Sequence, residues 1–329
     1  MKAAVLRGVR ELAIEQIPET SVTPPGFVKV AVKAVGICGS DVHYYNEGAI
    51  GSFVLTSPMV LGHEVGGIIE EVGEGVNLPV GAVVALEPGI PCGICDQCRS
   101  GHYNLCPDVK FFATPPNDGA MTSSVLHPSS FTFVADGLTP EEASLAEPMS
   151  VGIYAVLQAD IHLGDHIAVL GAGPVGLLTA LAAYAEGATV TVFDVLADRV
   201  RFAQEFGFDA SLFQERGGMQ YDKVIECSGN GDAITWAQSA VRNGGKLVLV
   251  GMGSRESMVL DGLDLTLRGV SVEGIFRYSN TFPAAIELIR RNRDRLSAFT
   301  KKQIHLEELP KYLADDEYKH YLKTIVSID

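Results

Sequence analysis

The chain has 329 residues, 47% of them apolar and 20% charged, and a formal net charge of −15. That length allows two domains with separate cores. The acidity excludes a nucleic-acid backbone as the expected partner, because such binders concentrate Lys and Arg. The N-terminus shows no secretory leader pattern. The one run apolar enough to suggest a bilayer, 167–185, is broken by Gly171, Gly173, Pro174 and Gly176. It reads as a buried strand, a turn and a buried helix, so no membrane partner is expected. Four of the six cysteines fall between Cys92 and Cys106. Clustering of this kind points to metal binding rather than disulfides, and with it to the cytoplasm.

In chain order, residues 1 to about 150 carry short β-like runs punctuated by Gly and Pro: FVKVAVKAVGI (27–37), GGIIEEVGEGV (66–76) and GAVVALEPG (81–89). Their alternation predicts a mainly antiparallel β domain. From 151 the texture changes. VGIYAVLQAD reads as a helix, HIAVLGAG as a strand, LLTALAAYAEG as a helix and TVTVFD as a strand. ADRVRFAQEFG then reads as a helix, YDKVIECSG as a strand, DAITWAQSAV as a helix and GKLVLVGMG as a strand. Alternating helices and continuously apolar strands predict an α/β, doubly wound parallel sheet over 151–275. After it come a helix, FPAAIELIRRNRD, and the run LKTIVSI, read as a strand returning to the first domain. The expected domains are therefore 1–150 plus 276–329, and 151–275.

Gly171-Ala-Gly173-Pro174-Val175-Gly176 matches G-x-G-x-x-G between a predicted strand and a predicted helix, the context in which the motif binds a dinucleotide. The first glycine permits the turn, the second admits a pyrophosphate, and the third lets helix and strand pack closely. The helix N-terminus then presents N–H groups and partial positive charge to the phosphates. Asp194 ends the next strand, where a carboxylate binds the ribose hydroxyls and repels a 2′-phosphate, favouring NAD over NADP. The same residue could instead cap the helix after it. Arg199 either stacks on the adenine or is a solvated helix residue.

Cys92-x2-Cys95-x2-Cys98-x7-Cys106 has the spacing of a closed tetrahedral thiolate site, for which zinc is the usual occupant and an iron–sulfur cluster the runner-up. Four protein ligands leave no position for substrate, so this metal is expected to be structural. Cys38, His63-Glu64 and Glu147 are further metal-binding or acidic spots. Taken singly, they read as a core thiol, a hydrogen-bonded imidazole and a helix cap.

The run GICGSDVHYYNEGAIGSFVLTSPMVLGHEVGG, the cysteine loop, GAGPVG, ATPPNDGAMTSSV, LAEPMSVGIYA and GIFRYSNTFP together resemble the zinc-containing medium-chain dehydrogenases, above all their polyol branch of sorbitol and xylitol dehydrogenases. The resemblance covers nearly the whole chain. It implies a GroES-like catalytic domain beside a Rossmann domain, a cytoplasmic homo-tetramer, and two zincs per chain. Cys38, His63 and Glu64 would hold the catalytic zinc, with Glu147 a further ligand or the holder of a bound water. Ser40 would take the alcohol proton and pass it through the ribose to His43, while Asp41 orients a ligand imidazole. Tyr44, Glu147, Arg277 and Tyr278 would contact polyol hydroxyls. Val250, Gly251, Met252, Ile275, Phe276 and Arg277 would border the nicotinamide. The expected reaction is hydride transfer from a secondary hydroxyl of a polyol to NAD, giving a ketose. The rivals are a zinc dehydrogenase of threonine, butanediol or a sugar phosphate, and a catalytically silent NADH-binding relative.

The chain is set apart within the family pattern in two respects: it keeps the four-cysteine loop that mammalian-type polyol dehydrogenases often lack, and one segment is short. Only ERGGMQ separates FDASLFQ from YDKVIECSG, which predicts a dinucleotide domain trimmed by one helix.

Overall fold

A computed structural model describes residues 1–19, 22–254 and 258–328. The chain forms two compact units, Met1–Glu147 with Phe282–Asp329, and Pro148–Thr281. These divisions fall a few residues from the composition change, because the helix Ala146–Ala159 spans the first of them. The segment carrying Phe276, Arg277 and Tyr278 consequently packs with the second unit, not with the first as its composition suggested.

The first unit is built on a seven-stranded sheet whose central strand, Phe27–Gly36, pairs antiparallel with Glu64–Val72, Ser124–Pro128 and Ile325–Ser327. Val28, Val30, Val32 and Val35 of that strand are buried, together with Ile69, Leu86, Met121 and Val326 from its neighbours. Burial of such side chains, about 1.5–3 kcal/mol each, fixes the register that carries the site residues. The C-terminal run does return to this sheet: Ile325 lies opposite Gly36, which on its other side lies opposite Glu64.

The second unit holds a six-stranded parallel sheet in the order Asp209–Leu212, Thr189–Asp194, His166–Leu170, Tyr221–Glu226, Val241–Leu249, Ser271–Gly274. Strand order reverses about the central His166–Leu170 strand, the topological switch at which open α/β sheets bind ligands. The strands His166–Leu170 and Thr189–Asp194 bury Ile167, Ala168, Val169, Leu170, Val190, Val192 and Phe193, as expected where both faces of a sheet are covered. The crossover between Asp209–Leu212 and Tyr221–Glu226 contains a single 3-10 turn, Phe213–Glu215. In place of a helix, an aromatic cluster fills the space. Trp236 meets Phe193 edge-on at 5.2 Å and Phe213 at 5.8 Å, and Tyr221 at 6.3 Å. The Arg216 guanidinium lies over Phe213 at 4.0 Å. Among the described residues, no helix is long and apolar enough to cross a membrane.

Candidate metal centres and dinucleotide site

Cys38 ends the approach to the helix Gly39–Glu47, and His63 and Glu64 open the strand Glu64–Val72. The pairing of that strand with Phe27–Gly36 brings both segments to one end of the sheet. The potential ligand atoms of Cys38, His63 and Glu64 all lie within 4.8 Å of one another. Asp41 ties the two segments together, accepting hydrogen bonds from the backbone N–H of Cys38 and of Gly62, each at 3.0 Å. Its carboxylate is 3.9 Å from His63 Nδ1, so it orients the ligand-bearing backbone more directly than the imidazole itself. Burial disfavours a charged His63, yet Cys38, Asp41 and Glu147 outweigh it and push the imidazole pKa up to about 10. The acidic groups around His63 thus favour a positive charge at this position. One thiolate, one imidazole and one carboxylate match the donor set of zinc and leave a coordination position open. Glu147, also buried, is outside that group of three and acts on it through its charge.

The four cysteines of the 92–106 segment form a second group within 4.8 Å. Cys95 Sγ is 3.4 Å and Cys92 Sγ 3.9 Å from Cys98 Sγ, against about 3.8 Å for the edge of a tetrahedral zinc–thiolate site with 2.3 Å bonds. Backbone N–H groups of Ile94 and Cys95 lower the Cys92 pKa to about 7, favouring the thiolate. All six cysteines of the chain are unbridged.

In the second unit, Gly171 has φ of +98°, and a Cβ on Gly176 would stand 1.8 Å from the Gly171 carbonyl oxygen. Only glycine permits this turn, which presses the helix Pro174–Ala185 against the strand before it. A Cβ on Gly173 would meet nothing within 4 Å, leaving the approach to the helix N-terminus clear. The Asp194 carboxylate accepts hydrogen bonds from Ala172 N at 2.7 Å and Leu196 N at 2.9 Å. It therefore joins the glycine turn to the next helix, and the capping role joins the one expected at the ribose. Arg199 is half-buried, and burial lowers its pKa against the pull of Asp194.

Two family profiles match the chain: the alcohol dehydrogenase GroES-like domain over residues 24–136 and the zinc-binding dehydrogenase domain over 174–291. A sorbitol dehydrogenase of Bacillus subtilis (strain 168) is 42% identical over 303 residues, covering 88% of this chain and 86% of the relative. An L-idonate 5-dehydrogenase of Vitis vinifera is 40% identical, covering 88% and 84%. A solved Escherichia coli oxidoreductase/dehydrogenase of unknown specificity superposes with a TM-score of 0.92 at 32% identity, covering 100% and 99%. The chain belongs to the zinc-containing medium-chain alcohol dehydrogenases, in their polyol branch. It is accordingly a dehydrogenase, with the Rossmann and GroES-like sheets of that family.

Within this family frame, the remaining expected residues fall as follows. Ser40 lies in the first turn of Gly39–Glu47 and is half-buried; His43 is exposed on the same helix, with Nε2 3.1 Å from Glu47. Tyr44, on the same helix, is buried. Val250, Gly251 and Met252 follow the strand Val241–Leu249, where Val250 N and Gly251 N both donate to the Glu226 carbonyl. Ile275 and Phe276 follow the edge strand Ser271–Gly274. Arg277 has φ of +57° and its guanidinium stacks on Phe276 at 4.7 Å, while Tyr278 is buried. Cys227, expected within a strand, comes just after Tyr221–Glu226, with its thiol 3.9 Å from Thr179 Oγ1; burial pushes its pKa up.

Two residues of the first unit escaped sequence reading. Lys323, with a side chain only 2% exposed, pairs with the Glu64 carboxylate. Glu87, also buried, accepts a hydrogen bond from Tyr103 OH at 2.7 Å, and burial, aided by the charge of Glu147, raises its pKa to about 7. A charged residue inside an apolar run, as in LKTIVSI and VVALEPG, was the available signal for each.

Proposed function

We propose that this dehydrogenase oxidises a secondary hydroxyl of a sorbitol- or xylitol-like polyol to a ketose with NAD. The observation that carries this reading is the convergence of Cys38, His63 and Glu64, the last two buried, within reach of the charge of Glu147. Those three residues hold the catalytic zinc, and Cys92, Cys95, Cys98 and Cys106 a structural one. Zinc, when bound, supplies Lewis acidity that lowers the pKa of the substrate hydroxyl, and NAD a hydride acceptor. The chain does the rest. Ser40 receives the hydroxyl proton and His43, exposed to solvent, discharges it. Tyr44, Glu147, Arg277 and Tyr278 orient the polyol through its several hydroxyls. Gly171, Gly173, Pro174, Val175 and Gly176 hold the pyrophosphate, Asp194 the ribose and Arg199 the adenine. Val250, Gly251, Met252, Ile275, Phe276 and Arg277 flank the nicotinamide.

A panel of polyols assayed for NADH absorbance, with metal analysis on the same sample, tests the reading. About two zincs per chain and turnover with a polyol are expected; turnover confined to threonine, butanediol or a sugar phosphate would replace the substrate class. Asp194→Ala should weaken NAD binding and relax discrimination against NADP. An unchanged NAD/NADP ratio would remove the ribose role. We also favour a cytoplasmic homo-tetramer. Leu263 and Leu267, 72% and 78% exposed on the short helix beside the edge strand Ser271–Gly274, support burial against another copy. Light scattering on the purified protein checks the assembly.

A further inference from the structure

The Glu64 carboxylate faces two cation sites at once. On one side are the donor atoms of Cys38 and His63. On the other is the Lys323 ammonium, which engages both carboxylate oxygens of Glu64 from a position equally shut off from water. Glu64 opens the strand on one flank of Phe27–Gly36, Lys323 stands two residues before the strand Ile325–Ser327 on the other, and the two side chains meet across Gly36. A Cβ there would lie 2.0 Å from Glu64 Oε2 and 3.0 Å from Lys323 Cε. The missing side chain at 36 is the window through which lysine reaches the acid. The backbone around Lys323 is fixed independently: Ile37 N donates to the Thr324 carbonyl at 2.9 Å, and Tyr312 OH and Thr324 Oγ1 are hydrogen-bonded at 2.7 Å. A buried ammonium placed so firmly on a carboxylate is a fixed charge, not a surface ion pair of marginal worth.

We propose that Lys323 is a positioning residue of the catalytic metal centre, competing with the metal for Glu64 and so making that carboxylate a displaceable ligand. The inference rests on the assignment of Cys38, His63 and Glu64 to a metal. Two cations sharing one carboxylate each weaken the other's hold on it. Lys323 therefore keeps the Glu64 bond weaker than those of the thiolate and imidazole, and the coordination shell open to exchange with substrate. Without the ammonium, Glu64 has a single cation left to bind.

The test is zinc release from the purified holoenzyme to a chromogenic chelator. The release phase absent from Cys38→Ser belongs to the Cys38–His63–Glu64 site. If Cys38→Ser releases the same phases as wild type, the metal assignment itself is wrong. With that phase identified, Lys323→Met should slow it by about tenfold, the size of effect outer partners of metal ligands have but with the sign reversed, because this partner competes with the metal instead of supporting its ligand. Lys323→Gln, which keeps a donor but no charge, should slow it in the same direction and carries the test if the Met variant does not fold. Lys323→Arg, retaining the cation, should release zinc within about twofold of wild type, well inside one such step. In a Glu64→Gln background, Lys323→Gln should change nothing further. Faster or unchanged release in the charge-removing variants would overturn the proposal, since a lysine that merely props the fold loosens its site when removed.

Discussion

The first unit holds two groups of potential metal ligands, and they are assembled in opposite ways. The 92–106 group draws all four sulfurs from one loop and sits near the surface, where the backbone N–H groups of Ile94 and Cys95 favour the thiolate of Cys92. The Cys38 group takes its ligands from separate segments held together by a sheet and by Asp41. Around it lie further buried ionisable groups, Glu147 and Lys323, and Glu87 feels the charge of Glu147. A closed site needs only sulfur at the right spacing, and its metal contributes folding energy. An open site must hold a cation with too few ligands, and that requires a tuned field.

The contrast is sharpest in two cysteine variants. Cys38→Ser should abolish turnover and remove one zinc per chain while leaving the unfolding midpoint close to wild type. Cys95→Ser should instead lower stability first, by on the order of 3–5 kcal/mol, as expected when a structural metal is lost. Activity assays beside thermal melts read both, and equal loss of fold in the two variants would erase the distinction between the sites.

Glu87 and Tyr103 connect the two regions, because Tyr103 belongs to the cysteine lobe and Glu87 feels the charge of Glu147. With its pKa near 7, against an ordinary 4.5, Glu87 keeps a proton in the native state that the unfolded chain has already released. Its contribution is therefore most favourable below about pH 4.5 and is lost as pH rises towards 7. Glu87→Gln should remove that dependence and raise stability at pH 8 by about 1–3 kcal/mol, with the gain vanishing in acid. Denaturant melts at pH 5 and 8 measure it; a gain of equal size at both values would mean that Glu87 is not the titrating group. Tyr103→Phe deletes only the hydrogen bond and should cost about 1 kcal/mol. Its effect on turnover should be small if the lobe is purely structural, and a large fall in kcat would show that the two regions act as one.

The sequence made the closed site and the glycine turn legible because each is written in consecutive residues. Cys92 to Cys106 and Gly171 to Gly176 need no knowledge of tertiary structure beyond a loop and a strand–helix junction. The open site was legible only through family likeness, since Cys38, His63-Glu64 and Glu147 have bland readings when isolated. Lys323 remained invisible even then. It lies 259 residues from Glu64, and the apolar pattern of LKTIVSI gives the strand without saying that the lysine turns inward. The trimmed crossover was predicted from the shortness of ERGGMQ set against the family pattern. The aromatic packing that compensates for it was not, because Phe193, Phe213, Tyr221 and Trp236 are spread over four elements.

That packing gives the molecule a private optical label. Trp236 is the only indole in the chain, and it stands against rings from three neighbouring segments in the dinucleotide-binding unit. Its emission therefore reports on the shortened connection between Asp209–Leu212 and Tyr221–Glu226. Loosening of one half before the other would be visible as a change in ellipticity that the fluorescence does not share.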